Sequence, residues 1–96
     1  MNSLGEKIRT IRESKSLLLR QVAAYLEIDT ALISKIERGE RRLTREQVIK
    51  LATFYNVTDE ELLTLWLSDK LLNTIENDPF AMQGLNKAKT ILKTLI

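Results

Sequence analysis

The sequence predicts an all-α chain, with a compact five-helix domain followed by a C-terminal helical extension. Three observations point there. Apolar residues recur at i, i+3, i+4 and i+7 through most of the chain, and no stretch alternates with period 2. A Ser or Thr followed three residues later by Glu or Gln opens a segment at Ser3–Glu6, Thr44–Gln47 and Thr58–Glu61, the pattern of a capping box. No internal repeat, low-complexity tract or flexible linker interrupts the series.

Each helix follows from its own residues. The first begins near Ser3, presents Leu4, Ile8 and Ile11 on one face, and ends around Ser14–Ser16. The second covers about Leu19 to Leu26 and turns Val22, Ala23 and Leu26 inward. The turn Glu27-Ile28-Asp29 follows, and Asp29 suits the N-cap of a third helix from Thr30 to Arg38. Ile33 and Ile36 face inward there, and Gly39 supplies the left-handed stop. The fourth opens at Thr44 and carries Val48, Leu51, Ala52 and Tyr55 in one stripe. The fifth opens at Thr58 and reaches about Glu76.

The apolar positions of the fifth helix (Leu62, Leu63, Leu65, Trp66, Leu67, Leu71, Leu72 and Ile75) go most of the way round. One core-facing stripe does not need so many, so another surface should cover part of it. In the break Asn77-Asp78-Pro79, Asp78 is expected to cap and Pro79 to take the first position of a sixth helix. That helix sets Leu85, Ala88, Leu92 and Leu95 in line, with Ile91 beside them. Either two copies meet symmetrically through helices five and six, or helix six folds back on helix five. The first is the expectation, with Trp66, Leu71, Leu85, Leu92 and Leu95 at a homodimer interface. Residues 1–64 then form the domain and residues 65–96 the dimerising extension.

Composition excludes whole classes of function. The 96 residues contain no cysteine and no histidine, so disulfides, thiolate ligands and the commonest general base are missing together. No nucleophile–base pair, metal cluster or glycine-rich phosphate loop is visible, and the chain is expected to have no catalytic residues, no metal and no cofactor. The acidic run Asp59-Glu60-Glu61 opens a helix, where carboxylates meet the positive end of the macrodipole. Tyr55 and Trp66 sit at helical spacing in apolar stripes, which suits core packing better than a stacking platform for single strands. No apolar run approaches the roughly 20 residues that span a bilayer, and the first residues lack a signal-peptide core. A cytoplasmic chain without membrane contact is expected.

The net charge of +2 is unevenly divided. Residues 1–45 hold ten Lys/Arg against six Asp/Glu, and residues 46–96 hold five against seven. A nucleic-acid footprint therefore belongs in the first half. There, two short helices around a tight turn need a small residue where they cross, and Ala23 is placed for it. With Val22, Leu26, Ile28, Ile33 and Ile36 inside, the outward face of the third helix holds Thr30, Ala31, Ser34, Lys35 and Arg38. These side chains are small, polar or basic. The major groove, about 12 Å wide, admits one helix with such a face. A plain helical bundle with a solvated polar face has the same pattern.

The stretch from Ser16 to Asn56 resembles the Cro/phage-repressor (xenobiotic-response-element) helix-turn-helix family. Leu17, Val22-Ala23, Leu26, Ile28 and the run Ile33-Ser34-Lys35-Ile36-Glu37-Arg38-Gly39-Glu40-Arg41 carry the likeness. The resemblance implies a repressor-like DNA-binding domain in a dimeric transcriptional regulator, cytoplasmic and nucleoid-associated, that reads an inverted repeat and represses its own operon. Restriction–modification controllers and antitoxins are similar in size and layout. Thr30, Ala31, Ser34 and Lys35 match base-facing positions, while Arg38, Arg41, Arg42 and Arg45 match phosphate-contacting ones. Arg12 and Glu37 match a structural ion pair.

Some positions depart from the family pattern, Thr30-Ala31 among them, where longer polar side chains are usual. Leu18 and Leu19 stand where a polar cap and a phosphate-contacting Gln are usual, and Glu27 stands where Gly is usual. Glu27 either keeps the left-handed conformation, at roughly 1–2 kcal/mol of strain, or the turn rearranges. The alternative function is a protein-interaction adaptor using Leu17–Leu19 and the C-terminal helices, with an unknown protein partner.

Overall fold

The computed structural model describes residues 3–96, and among them it contains helices and no strand. The helices are α1 (Ser3–Ser14), α2 (Leu19–Leu26), α3 (Thr30–Glu37), α4 (Arg45–Tyr55), α5 (Asp59–Ile75) and α6 (Ala81–Leu95). Every apolar residue that spacing assigned to the inner faces of α1 to α4 is buried, and Leu43, Leu62 and Trp66 complete the core. Ile28 is half-buried against it.

Local chemistry sets most of the ends. Thr44 Oγ1 accepts from Gln47 N at 3.2 Å, and Gln47 Oε1 accepts from Thr44 N at 2.9 Å, a complete capping box. Thr58 Oγ1 accepts from Glu61 N at 3.1 Å, while the Glu61 carboxylate pairs with Lys7 at 3.1 Å. Gly39, at φ 81°, follows Arg38 at the end of α3. Asp29 holds the N-cap position of α3 without a side-chain capping bond, and its carbonyl accepts from Leu32 N and Ile33 N.

The cap of α1 and the start of α6 are corrected. Ser3 and Glu6 do not form the box that opens α1. Asp69, reaching across from α5, accepts from Ser3 N at 3.1 Å, Leu4 N at 2.9 Å and the Ser3 hydroxyl. A carboxylate is a stronger acceptor than a hydroxyl, and it suits the positive end of a helix. Asp69 is itself buried beneath α1. At the other end of the chain, Pro79 is not the first residue of α6. Asp78 Oδ1 accepts from Phe80 N at 2.8 Å, a side-chain turn that leaves Phe80 non-helical at φ −103°, ψ 18°, so α6 starts at Ala81.

The proposed boundary after residue 64 falls inside α5, which runs unbroken to Ile75. Beyond it the chain opens out. No residue of α6 is buried, and the molecule measures 42 × 28 × 21 Å with a radius of gyration of 15.1 Å. A compact chain of this length has about 12.5 Å.

Candidate nucleic-acid interface

The site is built on the α2–α3 pair. Val22, Ala23 and Leu26 of α2 and Ile33, Ile36 and Glu37 of α3 are buried, which fixes how α3 is rotated. Glu27 takes the left-handed conformation at φ 58°, ψ 44°, so the turn keeps its geometry without glycine. The N–H of Ile28 closes it on the Ala23 carbonyl at 3.0 Å. Leu18 occupies the N-cap of α2 with no capping side chain. Gln21 Oε1 accepts the Leu18 N–H at 2.7 Å instead.

A buried ion pair locks the rear of the site. Arg12 donates from Nε to Glu37 Oε2 at 2.8 Å and from Nη2 to Glu37 Oε1 at 3.1 Å, a two-point contact between α1 and the end of α3. Its Nη1 donates to the Leu17 carbonyl at 3.0 Å, which ties in the chain entering α2. The hydrogen bonds that Arg12 donates to Glu37 raise its pKa above the ordinary arginine range. The Tyr55 hydroxyl lies close by, buried and without a hydrogen-bond partner. Desolvation first, and the Glu37 charge second, push its pKa upward.

The outward face is as the inward one dictates. Thr30, Ala31 and Lys35 are exposed and Ser34 is half-exposed. Ser34 Oγ accepts from Arg38 Nη1 at 2.6 Å, so Ser34 and Arg38 share one surface. Arg38 also pairs with Glu40, a partner that reading by residue type did not supply. Arg41 and Arg42 are exposed on the loop after α3, and Arg45 is exposed in the first turn of α4.

Trp66 does not belong with the proposed interface residues. It is 8% exposed, and its indole N–H donates to the Leu43 carbonyl at 2.8 Å. It packs behind the arginine loop because its side of α5 faces α1 and α4. Arg45 lies over its ring at 5.9 Å and Lys70 at 5.0 Å. No residue within a few positions of Trp66 or Asp69 signals the partner of either, 23 and 66 residues away. The other four interface candidates stay accessible: Leu71 is 56% exposed, Leu92 54%, Leu95 74%, and Leu85 lies half-buried beside an apolar groove between α5 and α6.

Among the described residues no cluster of acidic side chains could hold a metal ion, and no helix is long and apolar enough to cross a membrane. A family model described as "Helix-turn-helix domain" matches residues 3–65. The chain is similar to the HTH-type transcriptional repressor RghR of Bacillus subtilis, 40% identical over 50 residues, which are 52% of this chain and 37% of that protein. It is 38% identical over 64 residues to the uncharacterized HTH-type transcriptional regulator RghRB of the same organism, covering 66% of this chain and 46% of the relative. It is 32% identical over 60 residues to the HTH-type transcriptional regulator DdrOP3 of Deinococcus deserti, covering 62% and 46%. The chain thus spans less than half the length of these relatives. No solved structure matches significantly.

Proposed function

The chain belongs to the helix-turn-helix family of the xenobiotic-response-element type, and from that membership we propose that it binds double-stranded DNA and regulates transcription as a cytoplasmic homodimer that represses its own operon. The observation that carries this reading is the two-sided character of α3. Ile33, Ile36 and Glu37 are fixed in the core, which leaves Thr30, Ala31, Ser34 and Lys35 outside beside Arg38, Arg41 and Arg42. On this reading α3 lies in the major groove, Lys35 donates to a guanine edge, and Ala31 packs on a thymine methyl. The arginines take phosphates, supplying affinity and salt dependence but no sequence choice.

The homodimer accounts for the C-terminal surface. The chain exposes 6760 Å², about 1,100 Å² more than the roughly 5,700 Å² expected of a folded monomer of its mass. A standard interface buries about 800 Å² per partner. The exposed leucines of α5 and α6 supply such a surface, and two copies would set their α3 helices about 34 Å apart over an inverted repeat. The adaptor alternative has less behind it. Of Leu17, Leu18 and Leu19 only Leu18 is exposed, at 49%, and one surface leucine is ordinary.

The test is a gel shift with the DNA upstream of the coding region, repeated across a salt series. Replacing Arg41 and Arg42 by Gln should weaken binding to all duplexes and flatten the salt dependence. Lys35→Ala should change which duplex is preferred, and an unchanged preference would remove its base-reading role. Equilibrium sedimentation should give a dimer that Leu92→Glu dissociates. A monomeric wild type at micromolar concentration overturns the homodimer.

A further inference from the structure

The geometry assigns Trp66 as a positioning residue of the interface, holding the arginine-bearing loop in place from behind. This rests on the DNA-binding reading above. The loop from Gly39 to Leu43 joins α3 to α4 and carries Arg41 and Arg42 on an exposed backbone. Its first residues are held to α3 by Gly39 N on the Ile36 carbonyl at 3.1 Å and Glu40 N on the Lys35 carbonyl at 2.9 Å; at its far end the Leu43 side chain is 2% exposed in the core, and its carbonyl accepts the buried Trp66 N–H at 2.8 Å. Without that donor, the Leu43 carbonyl would have to turn toward water and carry the loop with it.

The same ring steadies a third cation. Arg45, exposed in the first turn of α4, lies over the indole at 5.9 Å, and Lys70 lies over it at 5.0 Å. Arginine over an indole face is held by the ring quadrupole, and more strongly than over phenylalanine. Trp66 therefore restrains three of the four candidate phosphate-contacting side chains, two through the loop backbone and one by stacking. It touches no nucleotide itself. Holding the cations before binding reduces the ordering that complex formation must otherwise supply.

The experiment compares wild type and Trp66→Phe in the intact chain, by fluorescence anisotropy with a labelled duplex across a salt series. Phenylalanine keeps the apolar packing and loses the N–H and the larger ring. The slope of log affinity against log salt should fall by about 1, as at least one phosphate contact is lost. Affinity should fall for every duplex, with the sequence ranking kept. A merely structural role would lower the active fraction and leave the slope alone. A folded Trp66→Phe protein with the wild-type slope overturns the assignment. Should the variant not fold, the wild type supplies the readout, because its one tryptophan gives a single indole signal by NMR. That signal should shift on DNA addition together with the Arg41 and Arg42 amides, and an unmoved signal at saturation overturns it. A wild type showing no salt-dependent binding removes the DNA-binding reading itself, a separate outcome.

Discussion

Replacing Glu37 by alanine tests the rear lock of the interface most directly. The substitution leaves the Arg12 guanidinium, 13% exposed, facing an empty site that was closed by two hydrogen bonds. At an effective dielectric of 20, opposite charges 4 Å apart attract by about 4 kcal/mol. Breaking one side of a buried pair typically costs about 3–5 kcal/mol. Arg12 keeps its bond to the Leu17 carbonyl and can lean toward Glu13, whose carboxylate lies 4.0 Å from Nη2. The expected loss is therefore at the low end, about 3 kcal/mol, a large part of the 5–15 kcal/mol of a typical domain. Urea denaturation followed by circular dichroism measures it, and the midpoint should drop by about 2 M for a small protein. The double variant Arg12→Met, Glu37→Ala removes both charges and should recover at least about 1 kcal/mol of the losses that Arg12→Met and Glu37→Ala cause singly. Single losses below about 1 kcal/mol, or a double loss equal to their sum, would refute the coupling.

Three further outcomes are expected. Glu27→Gly relieves a left-handed non-glycine residue and should raise stability by about 0.5–1 kcal/mol, read as a melting temperature higher by several degrees. Tyr55→Phe removes a buried hydroxyl without a partner, so stability near neutral pH should be unchanged or slightly higher. Because folding raises the pKa of Tyr55, the wild type keeps this stability below about pH 10, where the unfolded phenol titrates, and loses it as pH rises further. Alkaline titrations of the two proteins should diverge there, with Tyr55→Phe the flatter. Asp69→Ala strips the first turn of α1 of its acceptor and should cost about 1–2 kcal/mol. Hydrogen exchange should show the loss first in α1, and equal loosening of α3 would speak against a capping role.

What could be read in the sequence was what neighbours decide. Thr44 and Gln47 sit three residues apart and cap each other, so the start of α4 is visible in the letters. Placing Ile33 and Ile36 inward leaves Thr30, Ala31 and Lys35 outward by helical geometry alone, and the candidate face follows. Long-range partners left no such mark. Trp66 bonds a carbonyl 23 residues away and Asp69 caps a helix 66 residues away, and neither spacing has a local signature. Because α5 is apolar nearly all round, periodicity suits Trp66 to a homodimer interface and to the core alike, and does not say which side a neighbour takes. Glu27 leaves two outcomes open by residue type, and the turn holds the left-handed one, closed by the Ile28 N–H on the Ala23 carbonyl.

The reach of Asp69 and Trp66 bears on where this molecule could be cut. The family match stops at residue 65, and a fragment trimmed to that limit looks like a complete unit by homology. It would nonetheless discard the carboxylate that closes the first turn and the indole that braces the arginine loop. Such a fragment would begin with two bare amides and a slack connector, and it would also lack the rest of α5 and all of α6. The smallest faithful version of the domain runs past Asp69.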